Sequence, residues 1–212
     1  MTGMGNGKMR IGIIDYGAGN LRSVMNALDR LGAGHRLVRT REDMEGIDKL
    51  VLPGVGEFSS AAEAFRARDL EVPVKGWLSE GRPFLGICLG MQLLFESSEE
   101  AVGTKGLGFF KGQVSRFREG RVPQIGWNQV TFEKGSILAK GLPKEPFFYF
   151  LHGYYVEPED KRVIAGRTDY HIGYASAVEK GDICAVQFHP EKSGDVGLML
   201  LGNWLDGTGG GR

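Results

Sequence analysis

The sequence predicts an α/β fold, in which helices flank an open, mostly parallel β-sheet and additional antiparallel strands occupy the second half of the chain. Three observations carry this prediction. In the first half, short apolar runs alternate with segments of helical spacing. In the second half, one strand-like segment follows another. Of the 212 residues, 42% are hydrophobic and 25% are charged, which is typical of a globular protein.

The first half has the order of repeated strand–helix–strand units. Residues 9–15 form a nearly continuous apolar run, as expected of a strand buried on both faces. Asn20 is in position to cap a helix, and apolar residues follow it at helical spacing until Gly32. The same alternation predicts strands at 35–39, 49–52 and 84–87, a helix at 58–78 interrupted near Pro73, and a helix at 89–97.

The second half is dominated by strands that end in glycines or charged turns. No composition shift, linker or internal repeat divides the chain, so we expect one domain over residues 9–205. The glycine-rich ends, 1–8 and 206–212, are expected to be a disordered extension and a flexible tail. The predicted elements are strands at 109–117, 125–132, 147–156, 163–168, 175–179 and 183–188, and a last helix at 194–205.

Composition argues against several classes of partner. The formal net charge is +0, so no overall field attracts nucleic acid or an anionic membrane. No apolar run approaches the roughly 18 residues of a membrane-spanning helix, and the N-terminus lacks the hydrophobic segment of a signal peptide. Two cysteines form no disulfide framework, which indicates a reducing, cytoplasmic setting.

One cysteine has the sequence context of a nucleophile. Cys88 lies in RPFLGICLGMQLLFE, where Gly-x-Cys-x-Gly follows a predicted strand and opens a predicted helix, as in a nucleophile elbow. A thiol at a helix N-terminus is favoured as the reactive thiolate. By itself the pattern also fits a structural cysteine in a glycine-rich turn. Cys184, inside an apolar run, fits that structural role.

A candidate base lies near the end of the last predicted strand, in AVQFHPEKS. His189 follows the strand, at the edge where catalytic groups collect in open α/β sheets. Glu191 is two residues further on, where its carboxylate can orient the imidazole. Alone, this stretch also fits a turn with a hydrogen-bonded histidine, and any contact with Cys88 must come from the fold.

Together, GICLGMQLLF and QFHPEKS resemble the nucleophile and His/Glu motifs of the class I (triad-type) glutamine amidotransferases, which have a flavodoxin-like fold. The resemblance implies Cys88 as nucleophile, His189 as general base and then acid, and Glu191 as the group that orients it. It also implies glutamine as substrate, release of ammonia to a synthase partner, and no metal or other cofactor.

The same resemblance implies a role for the segment LPGVGE at 52–57 as the oxyanion strand. The backbone N–H of Val55, or of a neighbouring glycine, is expected to pair with that of Leu89. Flexible glycines in this segment suggest that the N–H of Val55 is misdirected until a partner binds, so that the free chain is nearly inactive. Substrate contacts are expected from Gly56, Gln92, Glu100, His152, Gly153 and Tyr154.

Four further stretches, YGAGN, PGVGEF, PQIGWN and YFLHGYY, are similar to the glutaminase subunits of imidazole glycerol phosphate synthases in histidine biosynthesis. The implied partner is a (β/α)8-barrel cyclase subunit, which receives the ammonia within a heterodimer. By position, Asn20, Tyr149 and Lys192 are expected to face the cyclase or gate the passage. Without the resemblance, they fit a helix cap, a strand aromatic and a solvated lysine.

Two positions depart from that family's usual pattern. Gln124 stands in PQIGWN where the family often has His, and Gly153 stands where it often has Ser or Thr. Neither change touches the triad. They concern the fine tuning of the activity and the details of the partner interface rather than the reaction itself.

Other functions remain as alternatives. A glutaminase subunit of another synthase, such as anthranilate or aminodeoxychorismate synthase, is the nearest one. A dinucleotide-binding module is disfavoured because Arg22 and Ser59 occupy the third glycine positions of the two candidate loops. A zinc enzyme lacks HExxH and paired CxxC motifs. A noncatalytic scaffold has no need for an intact Cys-His-Glu set.

Overall fold

The computed structural model describes residues 9–209 and contains a large mixed sheet with helices on both faces. The strands are β1 (Arg10–Ile14), β2 (Gly34–Val38), β3 (Lys49–Gly54), β4 (Phe84–Cys88), β5 (Ser97–Ser98), β6 (Gly112–Arg116), β7 (Gln124–Gln129), β8 (Thr131–Phe132), β9 (Phe147–His152), β10 (Tyr154–Pro158), β11 (Ile164–Tyr170), β12 (Ile172–Lys180) and β13 (Ile183–Val186). The helices are α1 (Leu21–Arg30), α2 (Phe58–Ala67), α3 (Glu71–Ser79), α4 (Leu89–Gln92) and α5 (Gly194–Gly207).

Five parallel strands form the part of the sheet that positions the site, in the order β2-β1-β3-β4-β13. Their carboxyl ends meet at one edge, where Gly54 of β3 is paired with Cys88 of β4. The neighbouring strand β13 leads into the segment that carries His189. This confirms the predicted α/β fold and explains how residues distant in sequence reach one edge.

The second half adds the predicted antiparallel strands. β12 pairs antiparallel with β13, β10 and β11, and β10 pairs antiparallel with β6. β7 and β9 form a separate two-stranded antiparallel ribbon beside the large sheet.

Hydrophobic cores lie on both faces of the large sheet. On one face, α2 and α3 pack through side chains such as Phe58, Phe65 and Trp77. On the other face, α1 and α5 pack with the inner side of the β7–β9 ribbon, and Phe148 stacks on Phe188 with ring centroids 4.1 Å apart. Because both faces are covered, the inner parallel strands β3, β4 and β13 are buried along their whole length, whereas the edge strand β2 is only partly buried.

Several predicted boundaries differ from the observed ones. The interruption predicted near Pro73 in the long second helix lies at 68–70, and Pro73 itself sits in the first turn of α3, where a missing N–H costs nothing. The helix predicted at 89–97 is the single turn α4, followed by β5. The strand predicted at 147–156 is divided at Gly153 into β9 and β10, which belong to different sheets.

The last helix extends beyond its predicted end at Leu205, as far as Gly207. Thr208 is buried, and its hydroxyl accepts a hydrogen bond of 2.7 Å from the Lys49 ammonium. Residues 206–208 are therefore part of α5 or directly follow it, in contrast to the flexible tail expected there, and the predictions for 1–8 and 210–212 lie outside the described residues. Within 9–209, none of the helices has the length and apolar character needed to cross a bilayer.

Candidate active site

Cys88 sits in a strained turn between β4 and α4. Its φ is 55°, a left-handed value that is unusual for a residue other than glycine. A Cβ at Gly86 would lie 2.9 Å from the Gly90 carbonyl oxygen, and a Cβ at Gly90 would clash with the Leu52 carbonyl. Both flanking glycines are therefore required by close backbone approach, and the turn presents the thiol at the sheet edge.

His189 and Glu191 form a buried pair just after β13. Nδ1 of His189 lies 2.8 Å from Oε1 of Glu191, and the two side chains are only 2% and 1% exposed. Since a carboxylate can only accept, Nδ1–H is the donor. The other ring nitrogen, Nε2, is buried and makes no hydrogen bond within the described part of the chain. This leaves Nε2 available for the thiol.

The pKa of His189 is set by three opposing influences. Burial lowers it, but interaction with the Cys88 sulfur and with the Glu191 carboxylate raises the pKa of His189 to about 10. A protonated imidazole beside a cysteine favours the thiolate form of the sulfur. The contribution expected from a helix N-terminus is small, because α4 has only one turn and a weak dipole.

Two hydrogen bonds of Ser193 connect the turn that contains His189 with strand β9. Its hydroxyl donates to the His189 carbonyl at 2.6 Å and accepts from the Tyr149 N–H at 3.0 Å. The His189 N–H in turn donates to the Tyr149 carbonyl at 2.9 Å. Sequence reasoning missed Ser193, because its partner strand is distant in the chain.

A cavity of about 380 Å³ opens beside Cys88. Both predicted oxyanion residues, Val55 and Leu89, lie on its wall. Arg116 and Leu151 also line the cavity and were not predicted. The structure brings every predicted substrate residue to this cavity: Gly56, Gln92, Glu100, His152, Gly153 and Tyr154.

His152 is a buried neutral imidazole rather than a second base. Burial lowers the pKa of His152 to about 4, although its hydrogen bond to the Tyr154 carbonyl (2.7 Å) acts in the opposite direction. Nε2 lies 3.2 Å from the Tyr174 hydroxyl, which also lies 3.0 Å from Oε1 of Gln124. The unusual Gln124 thus belongs to a hydrogen-bonded chain that supports the cavity wall.

Gln187 is the most notable side chain that sequence reasoning missed. It is fully buried, and its Nε2 lies 3.6 Å from the Cys88 sulfur. The signal that could have identified it is strand periodicity, because residues two apart in extended chain face the same side and His189 is two residues later.

Two of the predicted interface residues lie beside His189: the Tyr149 carbonyl accepts from the His189 N–H, and Lys192 follows in the turn Pro190–Lys192. Nζ of Lys192 lies 5.9 Å from the centroid of the Tyr149 ring. Asn20 precedes α1 at the cap position, but its side chain makes no cap hydrogen bond. Helix α1 packs against the turn Pro190–Lys192.

The β7–β9 ribbon has an exposed apolar face. Its cross-strand pairs are Ile125 with Leu151, Trp127 with Tyr149, and Gln129 with Phe147. Exposed large hydrophobic side chains on this ribbon, here called the apolar face, are Ile125, Trp127, Phe147 and Leu151. Leu151 also lines the cavity, so the apolar face adjoins the site.

No group of His, Cys, Asp or Glu with the arrangement of a metal site occurs within residues 9–209. Neither cysteine forms a disulfide. The chemistry that the described groups can support is nucleophilic catalysis by a thiolate that is paired with an imidazolium.

Comparison of the sequence with known proteins identifies close relatives. The family model "Glutamine amidotransferase class-I" matches residues 12–204. The subunit HisH of imidazole glycerol phosphate synthase from Desulfitobacterium hafniense (strain DSM 10664 / DCB-2) is 45% identical over 200 residues, covering 92% of this chain and 95% of the relative. The HisH subunit from Methanothermobacter thermautotrophicus is 45% identical over 197 residues, covering 92% and 98%.

Solved structures share the fold at lower identity. A crystal structure described as a glutamine amidotransferase matches with a TM-score of 0.74 and 24% identity, covering 92% of this chain and 98% of that chain. The structure of PurLQS from Thermotoga maritima matches with a TM-score of 0.76 and 19% identity, covering 94% and 98%.

Proposed function

The chain belongs to the class I glutamine amidotransferase family, and from its similarity to the HisH subunits we propose that it hydrolyses glutamine to glutamate and ammonia for imidazole glycerol phosphate synthesis. The observation that carries the chemistry is the buried His189–Glu191 pair beside a cysteine in a strained elbow. The alternative of another synthase subunit is not favoured, because the curated relatives at 43–45% identity are HisH subunits.

In the proposed mechanism, the Cys88 thiolate attacks the side-chain amide carbon of glutamine. The N–H groups of Val55 and Leu89 stabilise the oxyanion, and the His189 imidazolium donates its proton to the departing ammonia. A thioester of glutamate remains on Cys88. His189, now neutral, takes a proton from water, the resulting hydroxide attacks the thioester, and glutamate is released with the thiolate restored.

Opposite charges at the cavity suit a free amino acid. Glu100 accepts a hydrogen bond of 2.8 Å from the Phe58 N–H through one carboxylate oxygen, which fixes the carboxylate. We assign Glu100 to the α-ammonium of glutamine and Arg116 to its α-carboxylate. The amide groups of Gly56, Gln92 and the segment 152–154 supply the remaining contacts.

The proposed partner is a (β/α)8-barrel cyclase that covers the apolar face and forms a heterodimer with this chain. Contiguous exposed apolar side chains are typical of protein interaction sites, and this face adjoins the cavity through Leu151. A dry interface keeps ammonia neutral and nucleophilic on its way to the cyclase. Asn20, Tyr149 and Lys192 are proposed to contact the cyclase or gate that passage.

In this proposal, the cyclase uses the ammonia to convert a phosphoribulosyl-formimino nucleotide into imidazole glycerol phosphate and an aminoimidazole carboxamide ribotide. We infer a reducing, cytoplasmic location, which suits a chain whose two cysteines form no disulfide.

Replacement of the nucleophile tests the proposal. Cys88→Ala is expected to lower glutamate release by at least about 10³-fold, since the nucleophile is removed. The complex of this variant with the cyclase is expected to keep product formation from added ammonium salt. The matched control is Cys184→Ala, which alters the other buried thiol. Retention of glutaminase activity by Cys88→Ala would show that the nucleophile is assigned incorrectly.

A further inference from the structure

Gln187 touches the proposed nucleophile although it belongs to neither the triad nor the oxyanion segment. Its side chain is fully buried, and Nε2 lies 3.6 Å from the Cys88 sulfur, a normal hydrogen-bond distance to sulfur. A buried amide beside a thiolate stabilises the negative charge only if its N–H₂ end, rather than its oxygen, faces the sulfur.

The hydrogen-bond chain fixes that orientation. Gln92 Nε2 lies 3.2 Å from the Tyr154 carbonyl and 3.1 Å from Gln187 Oε1, so both of its N–H groups are used. Reversing Gln92 would place its oxygen against the Tyr154 carbonyl. Reversing Gln187 would place two amide donors against each other and an amide oxygen against the thiolate. Only one direction of the chain satisfies every group.

We propose that Gln187 is a further catalytic residue, whose side-chain amide donates a hydrogen bond to the Cys88 sulfur and is held in that direction by Gln92. The inference rests on the proposed thiol chemistry of Cys88. The donor favours the thiolate before attack, alongside the His189 imidazolium. It acts again when the thioester is hydrolysed, because negative charge then returns to the sulfur as the leaving group.

The hydrogen bonds through Gln92 and Gln187 also connect the wall of the substrate cavity to the nucleophile. Its far end is the Tyr154 carbonyl, in the segment expected to contact glutamine. Gln92 and Gln187 are both buried, so the cavity wall and the sulfur are joined through side chains with little freedom to move. Gln92 is therefore a positioning residue for Gln187.

Alkylation of Cys88 by iodoacetamide as a function of pH tests this role without requiring glutamine turnover. In the full chain, Gln187→Glu replaces the donor with a carboxylate of the same shape, and Gln187→Met removes it. Both variants are expected to alkylate about 10- to 100-fold more slowly at pH 7, with the titration displaced to higher pH, Glu more than Met. The other titratable groups that influence the thiol, His189, Tyr16 and Tyr174, are unchanged.

Two further variants complete the experiment. Gln129→Glu, the same substitution at an exposed glutamine of β7, is expected to leave the alkylation profile unchanged. Gln92→Met keeps Gln187 but removes the group that orients it, so an intermediate displacement is expected even if the Gln187 variants fold poorly.

A purely structural Gln187 would lower the melting temperature and leave the alkylation profile of the folded protein at the wild-type position, which overturns the inference. A wild-type profile in Gln92→Met overturns the orienting role. If the alkylation profiles of the Gln187 variants are displaced but the wild-type protein releases no glutamate with any partner, the contact with sulfur is upheld and the proposed function is refuted. Failure of the Gln187 inference and failure of the proposed function are therefore distinguishable.

Discussion

At the scale of single residues, the elbow depends on positions where no side chain fits. Gly90→Ala is expected to destabilise the protein by about 1–3 kcal/mol, because its Cβ would meet the Leu52 carbonyl oxygen in a packed backbone contact. The measurement is urea unfolding. Gly76→Ala in α3 is the matched control, since a Cβ there meets nothing within 4 Å, and it is expected to stabilise by about 0.5–1 kcal/mol. Equal effects at the two sites would contradict this account of the elbow.

His189 is expected to carry its proton well above neutral pH. Its raised pKa of about 10 means that the folded state binds this proton more tightly than the unfolded state. The associated stability is therefore complete below about pH 6.5 and is lost as the pH rises toward 10. NMR titration of the ring checks this, and Glu191→Gln is expected to move the midpoint to lower pH. A wild-type midpoint near 6.5 would refute the ion pair.

Residues with a local signature could be identified from sequence, and residues defined by distant contacts could not. Cys88 is marked by its two glycines and the change from strand to helix, and His189 and Glu191 are marked by the end of a strand. Gln187 and Ser193 act through partners far away in the chain, on α4 and β9. Only the fold brings those partners together.

At the scale of elements, the alternating pattern of the first half predicted the parallel sheet because strands covered on both faces are continuously apolar. The exact ends were harder to predict. The apolar run after Cys88 looks helical, yet the chain leaves α4 after one turn, and Leu94 and Phe95 enter the core through a turn. Tertiary packing overrides local helix propensity there.

The β7–β9 ribbon yields a prediction about association. Trp127→Ala is expected to weaken binding to the cyclase by at least about 30-fold, because a large aromatic side chain on an apolar face is the usual anchor of an interface. Calorimetric titration measures the affinity. The melting temperature of the free chain is expected to change little, since Trp127 is 56% exposed. Val102→Ala is the control, because Val102 is exposed but lies outside the ribbon.

If both variants bind the cyclase as tightly as the wild type, the apolar face is not the docking surface. Loss of affinity in Val102→Ala alone would place the partner elsewhere on the molecule.

At the scale of the whole molecule, the site is an open cavity at the sheet edge with an apolar face beside it. Val55, a proposed oxyanion donor, is exposed at the end of β3, and the next residue, Gly56, has a φ of +104°. The surrounding chain can therefore change direction at low cost. A partner seated on the apolar face would cover the cavity, hold Val55 and exclude water. We therefore expect the free chain to be nearly inactive.

The most direct test of cyclase-dependent glutamine hydrolysis is glutamate release from glutamine, measured for the chain alone and with a barrel cyclase that carries its nucleotide ligand. We expect very slow release by the chain alone and stimulation by at least about 10²-fold with the liganded cyclase, the typical effect of gaining an oxyanion donor. Equal rates with and without the cyclase, or no release in either condition, would contradict it.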